Sequence, residues 1–152
     1  MSIFDAIMFP ADNRPPHVVS LVTSAALPFS ASAEPYRCGR MPHPELFMDY
    51  IADQLGAQAW QFHLIEALDG MLQKLPKPYI IFYPVVSRDG MPFPVNKAVR
   101  EIQGYNFAEA GAWKGDLVVA KYTDTEYSTM IDTSMADFPI IKNYLSTHQV
   151  FL

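Results

Sequence analysis

The spacing of apolar positions changes several times along the chain, and each change predicts an element. "HVVSLVTSA", from His17, is rich in β-branched residues and reads as a strand. Ahead of it, residues 1–16 hold three prolines and one short apolar run, Ile3 to Phe9. We read this segment as an N-terminal arm docking through Phe4, Ile7 and Phe9, which leaves residues 17–152 as a single domain. From Pro44, Phe47, Ile51 and Leu55 recur every four residues opposite Glu45, Asp49 and Asp53, an amphipathic helix that Gly56 ends. Trp60, Leu64, Leu68 and Leu72 continue at the same spacing and predict a second helix, closed by Pro76 and Pro78.

"YIIFYPVVS", residues 79–87, is apolar on both faces and predicts a central strand. Pro84 lacks a ladder donor, so that half of the strand requires a bulge or an edge position. Asp89-Gly90 is a turn signal, and "MPFPV" returns as a short, imperfect strand. Asn96 is placed to cap a helix over "KAVREIQ" that stops at Gly104. "DLVVAKY" (116–122) and "EYSTMID" (126–132) read as a hairpin. Asp137 is placed to cap a last helix with Pro139 in its first turn and Ile140, Ile141, Tyr144 and Leu145 on its apolar face. Strands in antiparallel pairs with helices on one face make an α+β domain.

Composition narrows the function classes. The chain has 152 residues, half of them apolar, which suffices for a packed core without staples. Its net charge is −5 and its basic residues are scattered, which disfavours nucleic acid and a membrane surface as partners. A single cysteine, Cys38, excludes an internal disulfide. With no signal-peptide pattern and no long apolar run, a cytoplasmic or nuclear protein is the expectation. Half-apolar composition can exceed what one small core hides, so homodimerisation is a further expectation.

No strong catalytic or nucleotide-binding motif is present, and no cofactor is expected. Weaker constellations remain. "YRCGRMPHPE", in the 34–45 loop, places Arg37, Arg40 and His43 at a helix N-terminus, a combination suited to an anion; the competing reading pairs those arginines with Asp49 or Asp53. Cys38 lies between the arginines, where positive charge favours a reactive thiolate, although a lone cysteine also serves as a small buried hydrophobe. His63 and Glu66, three apart on the predicted second helix, are weak metal-ligand candidates, because a metal requires more than two protein ligands. The acids and hydroxyls of "YTDTEYSTMIDTSMAD" match no calcium loop and read as loop and capping chemistry. Phe93, stiffened between Pro92 and Pro94, is either a contact at the rim of a site or a plug closing one end of the core.

At "CGRMPHPELFMDYIA", "FYPVVSRDGMPFPVNKAVREIQG" and "SMADFPIIKNYLSTH" the chain resembles a group of uncharacterised small proteins from mushroom-forming fungi, over about Pro16 to His148. The resemblance implies a eukaryotic intracellular setting and carries no activity, cofactor or site residue. The leading expectation is a non-catalytic binding or interaction module, its surface formed by the 34–45 loop and the Phe93 hairpin, with a protein or a small anionic ligand as partner. The alternative is a small enzyme acting on an anionic small molecule in a pocket lined by Arg37, Arg40, His43 and His63.

Overall fold

The computed structural model describes residues 2–12, 14–23, 55–68, 74–104, 112–125 and 130–148. Six strands form one antiparallel sheet: β1 (Ser2–Phe9), β2 (His17–Thr23), β3 (Ala57–Ile65), β4 (Tyr79–Ser87), β5 (Leu117–Tyr122) and β6 (Met130–Ile131). Their order is β2-β1-β5-β4-β3, with β6 beside β5. Among the described residues two helices, α1 (Lys97–Gln103) and α2 (Phe138–Leu145), join them, the second preceded by a 3-10 turn at Met135–Asp137. This is the α+β class that the hydrophobic pattern predicts.

Both faces of the sheet are buried, and alternation along the strands sorts the core into two halves. Ala6, Met8, Ile80, Phe82, Val118 and Ala120 pack on one face. Ile7, Phe9, Ile81, Leu117 and Val119 pack on the other, against Val99 of α1 and Ile141, Tyr144 and Leu145 of α2. Both described helices therefore cover the same face. Leu55 is buried on the opposite face, and Gly56 follows it with φ 62°, the left-handed value a helix-ending glycine supplies. The rest of the helix predicted from Pro44 lies outside the described residues.

Two predicted elements are corrected. Residues 2–9 are no peripheral arm: β1 is an interior strand, paired with β2 over Ser2–Met8 and with β5 over Ile7–Phe9. Asp5 interrupts the apolar run that would have announced it. Its carbonyl accepts from the Thr133 amide (2.8 Å) and its amide donates to the Asp132 carboxylate (2.9 Å), contacts more than a hundred residues away in sequence. The second correction is the helix predicted from Trp60, which is instead strand β3. A spacing of four fits the helical period and is also twice the strand period. Phe62 decides between them, because Trp60, Phe62 and Leu64 all pack on one face while Ile65 reaches the other.

β4 meets both requirements that Pro84 sets. Trp60 pairs with Pro84 and Ala59 with Val86, so Val85 is an extra, bulged residue. β5 accompanies β4 only from Tyr79 to Phe82. The Tyr122 amide donates to the Pro78 carbonyl, so alternation turns the backbone of residues 80, 82 and 84 toward β5. The missing N–H of Pro84 thus faces a side where β5 no longer accompanies β4. Past the Asp89-Gly90 turn, the predicted return strand reduces to one bridge, Val95 with Lys114, because Pro92 and Pro94 supply no donors.

α1 forms as predicted. The Asn96 side chain accepts from the Val99 amide, and Gly104, with φ 66°, closes the helix. Asp137 departs from its predicted role. It occupies the position before α2, but its carboxylate accepts from the Ser134 amide, the Tyr79 hydroxyl and the Lys121 ammonium instead of capping the helix. No helix among the described residues is long and apolar enough to cross a membrane.

Candidate functional site

The truncated β5 and the unzipped 87–95 hairpin leave a concavity beside the second half of β4. This open groove has a volume of about 570 Å³. Tyr83 to Ser87 form one wall, Gly90 to Phe93 the other, and Gln61, Ala112 and Lys114 contribute beside them. Three local causes build it: the bulge at Val85, the prolines that remove ladder donors, and the close approach of residues 112–115.

Gly115 sets that approach. Its φ is +74°, and a side chain there would place Cβ 2.5 Å from Pro84 Cγ and 3.1 Å from Phe93 Cδ1. Asn96, fully buried, fixes the same corner: its Nδ2 donates to the Phe9 carbonyl (2.7 Å) and the Gly115 carbonyl (2.8 Å). Phe93 sits at this corner too, its ring beside Gly115. It packs, half-buried, against the core and also lines the groove.

The groove is largely apolar. Val85, Val86 and Met91, three of the six exposed large hydrophobic residues among those described, line it. Among the described lining residues, Lys114 is the one that carries a charge. Burial pushes the Tyr83 phenol up, so that side chain stays neutral across the physiological range.

Tyr83 connects the groove to an aromatic series on the helix-covered face. Its ring meets Trp113 edge-on at 5.4 Å, and Trp113 meets His63 edge-on at 6.0 Å. His63 Nε2 is hydrogen-bonded to the Tyr144 hydroxyl, and the Tyr144 ring stacks on His148 at 3.8 Å. The Trp113 indole N–H donates to the His148 carbonyl. Burial first, and then the nearby His148, push the His63 pKa down.

A depressed histidine has a defined consequence for stability. The unfolded chain binds a proton at His63 near the ordinary value of 6.5, which the folded chain resists until lower pH. Stability from this group is complete above that value and is lost as pH falls through the folded pKa. Urea unfolding between pH 7.5 and pH 5 is expected to show that decline, and His63→Gln, which can keep a hydrogen bond to Tyr144, is expected to flatten it. An equal decline in the variant would place the proton uptake elsewhere.

The other predicted site residues divide into two groups. Arg37, Cys38, Arg40 and His43, with the anion-site and thiol readings of the 34–45 loop, lie outside the described residues. The His63–Glu66 metal reading is corrected: residues three apart do not share a strand face, and Glu66 lies past the end of β3, 3.9 Å from Lys74. Among the described residues no group of three His, Cys, Asp or Glu side chains could hold a metal. Lys114 and Tyr83 were not singled out by sequence reasoning. Tyr83 was hidden inside an apolar run, and Lys114 in a segment without period. No protein-family model, curated protein or solved structure matches the chain.

Proposed function

We propose that the protein is a non-catalytic binding module whose ligand occupies the groove beside β4. One observation carries this reading: a concavity of about 570 Å³ gathers half of the exposed large hydrophobic residues described and, among its described lining residues, one cation. Ligand sites combine this size, an apolar lining and few polar groups. The enzyme alternative draws less support. Catalysis calls for acid, base or nucleophile groups converging where a substrate sits. His63 is held by Tyr144 and is not among the groove's described lining residues, which include no carboxylate, histidine or cysteine.

The test uses the apolar fluorophore 8-anilinonaphthalene-1-sulfonate. The wild-type protein is expected to bind it at one site, and Val85→Asp to weaken that binding about tenfold or more. Val85 is 52% exposed, so the variant is expected to keep its unfolding midpoint. Equal dye binding by a folded Val85→Asp protein would overturn the proposal.

A further inference from the structure

We propose that the groove selects a small amphiphile bearing one carboxylate, with its anion at Lys114 and its apolar body along Tyr83, Val85 and Met91. This inference rests on the reading of the groove as a binding site and adds the class of ligand.

The charge pattern supplies the first argument. The chain carries a net charge of −5, yet the one charged residue among the groove's described lining is a cation. Lys114 has no hydrogen bond or ion pair from its side chain among the described residues, whereas Arg14, Lys74 and Lys121 each have a carboxylate partner. The acid nearest it in sequence, Asp116, is engaged elsewhere, accepting from the Ala11 amide at 2.8 Å. An ammonium beside apolar walls, with no carboxylate partner among the described residues, complements a ligand that brings its own.

The number of donors decides which anion. A phosphate or other doubly charged group favours an arginine fork, several cations or a helix N-terminus. Among the described residues that line it, the groove has one lysine, a compact point charge, and no second cation, which matches a single negative charge. The body follows from the walls. Val85, Val86 and Met91 remain exposed, and covering them recovers the free energy of apolar burial. Phe93, wedged against Gly115, and the Tyr83 ring give that body two fixed surfaces.

The test compares octanoate, octan-1-ol and octyl phosphate by amide chemical-shift titration of the wild-type protein and of Lys114→Met, which keeps the apolar stem. Octanoate is expected to shift the resonances of Tyr83, Val85 to Ser87, Met91 and Phe93, and to bind about tenfold more tightly than octan-1-ol. In Lys114→Met octanoate is expected to fall to the level of the alcohol, with alcohol binding unchanged. Equal binding of acid and alcohol at the groove would overturn the carboxylate assignment while leaving the binding-module reading intact. Tighter binding of octyl phosphate would overturn it in favour of a doubly charged head. Absence of shifts at the groove with all three compounds would overturn both.

Discussion

Asp137→Ala is expected to destabilise the protein by about 3 to 5 kcal/mol, the usual effect of removing one partner from a buried ion pair. Asp137 and Lys121 lie 2.7 Å apart with side chains 12% and 19% exposed, so the stranded ammonium has little water to turn to. The variant also leaves the Tyr79 hydroxyl and the Ser134 amide without their acceptor. Tyr79 and Lys121 belong to β4 and β5, while Ser134 opens the 3-10 turn before α2, so one carboxylate fastens that helix to the sheet. Urea unfolding measures the loss, and thermal unfolding is expected to show a fall of roughly 10 °C for a chain of this size. Asp137→Leu combined with Lys121→Met is expected to recover the part due to the stranded ammonium, because a buried pair replaced as a unit leaves no uncompensated charge, while the Tyr79 hydroxyl and the Ser134 amide still lack their acceptor. A near-neutral Asp137→Ala would mean that the network contributes nothing to stability.

The same group sets an acid limb. Burial pushes the Asp137 carboxyl up, but the Lys121 ammonium, the Ser134 amide and the Tyr79 hydroxyl outweigh burial and hold it below the ordinary 3.8. With a folded pKa below the unfolded one, its contribution is complete above that value and is lost as pH falls through the folded pKa. This limb lies below the one assigned to His63, so the two variants remove different parts of the pH profile.

Asn96→Ala carries the second large effect, about 2 to 3 kcal/mol. It removes the cap of α1, which typically contributes about 1 kcal/mol, and takes the side-chain donor from the buried Gly115 carbonyl at about 1 kcal/mol or more; the Phe9 carbonyl also loses the Asn96 amide but stays in the β1–β5 ladder opposite Leu117. Asn96→Asp separates these causes. It restores the capping oxygen but turns a carboxylate toward two carbonyl oxygens, so it is expected to be no more stable than Asn96→Ala. Recovery to wild-type stability in Asn96→Asp would show that the cap alone matters. Because Asn96 fixes Gly115, and Gly115 spaces Pro84 from Phe93, Asn96→Ala is also expected to weaken ligand binding in the groove.

Local signals carried much of the fold. The cap and stop of α1 are written in Asn96 and Gly104, and the unusual course of β4 in Pro84. What escaped was long-range. β1 becomes interior only through β5 and the 132–133 segment, which no periodicity within residues 2–9 encodes. β3 was misread because spacing by four serves two periods, and only the intervening Phe62 resolves them. The candidate site was half legible. Phe93 and its prolines mark a stiff hairpin, but the groove also needs the premature end of β5 pairing and the left-handed Gly115, both products of tertiary structure. Lys114 acquires meaning only when the bridge to Val95 brings it beside that hairpin.

The central claim is that this groove is where the protein binds its ligand. Amide chemical-shift mapping with a mixed set of small acids, amines and neutral apolar compounds tests it most directly, because it reports every surface at once. The account predicts that the largest shifts fall on Tyr83, Val85 to Ser87, Gly90, Met91 and Phe93. Shifts concentrated on another surface, or none at millimolar concentration, would contradict it.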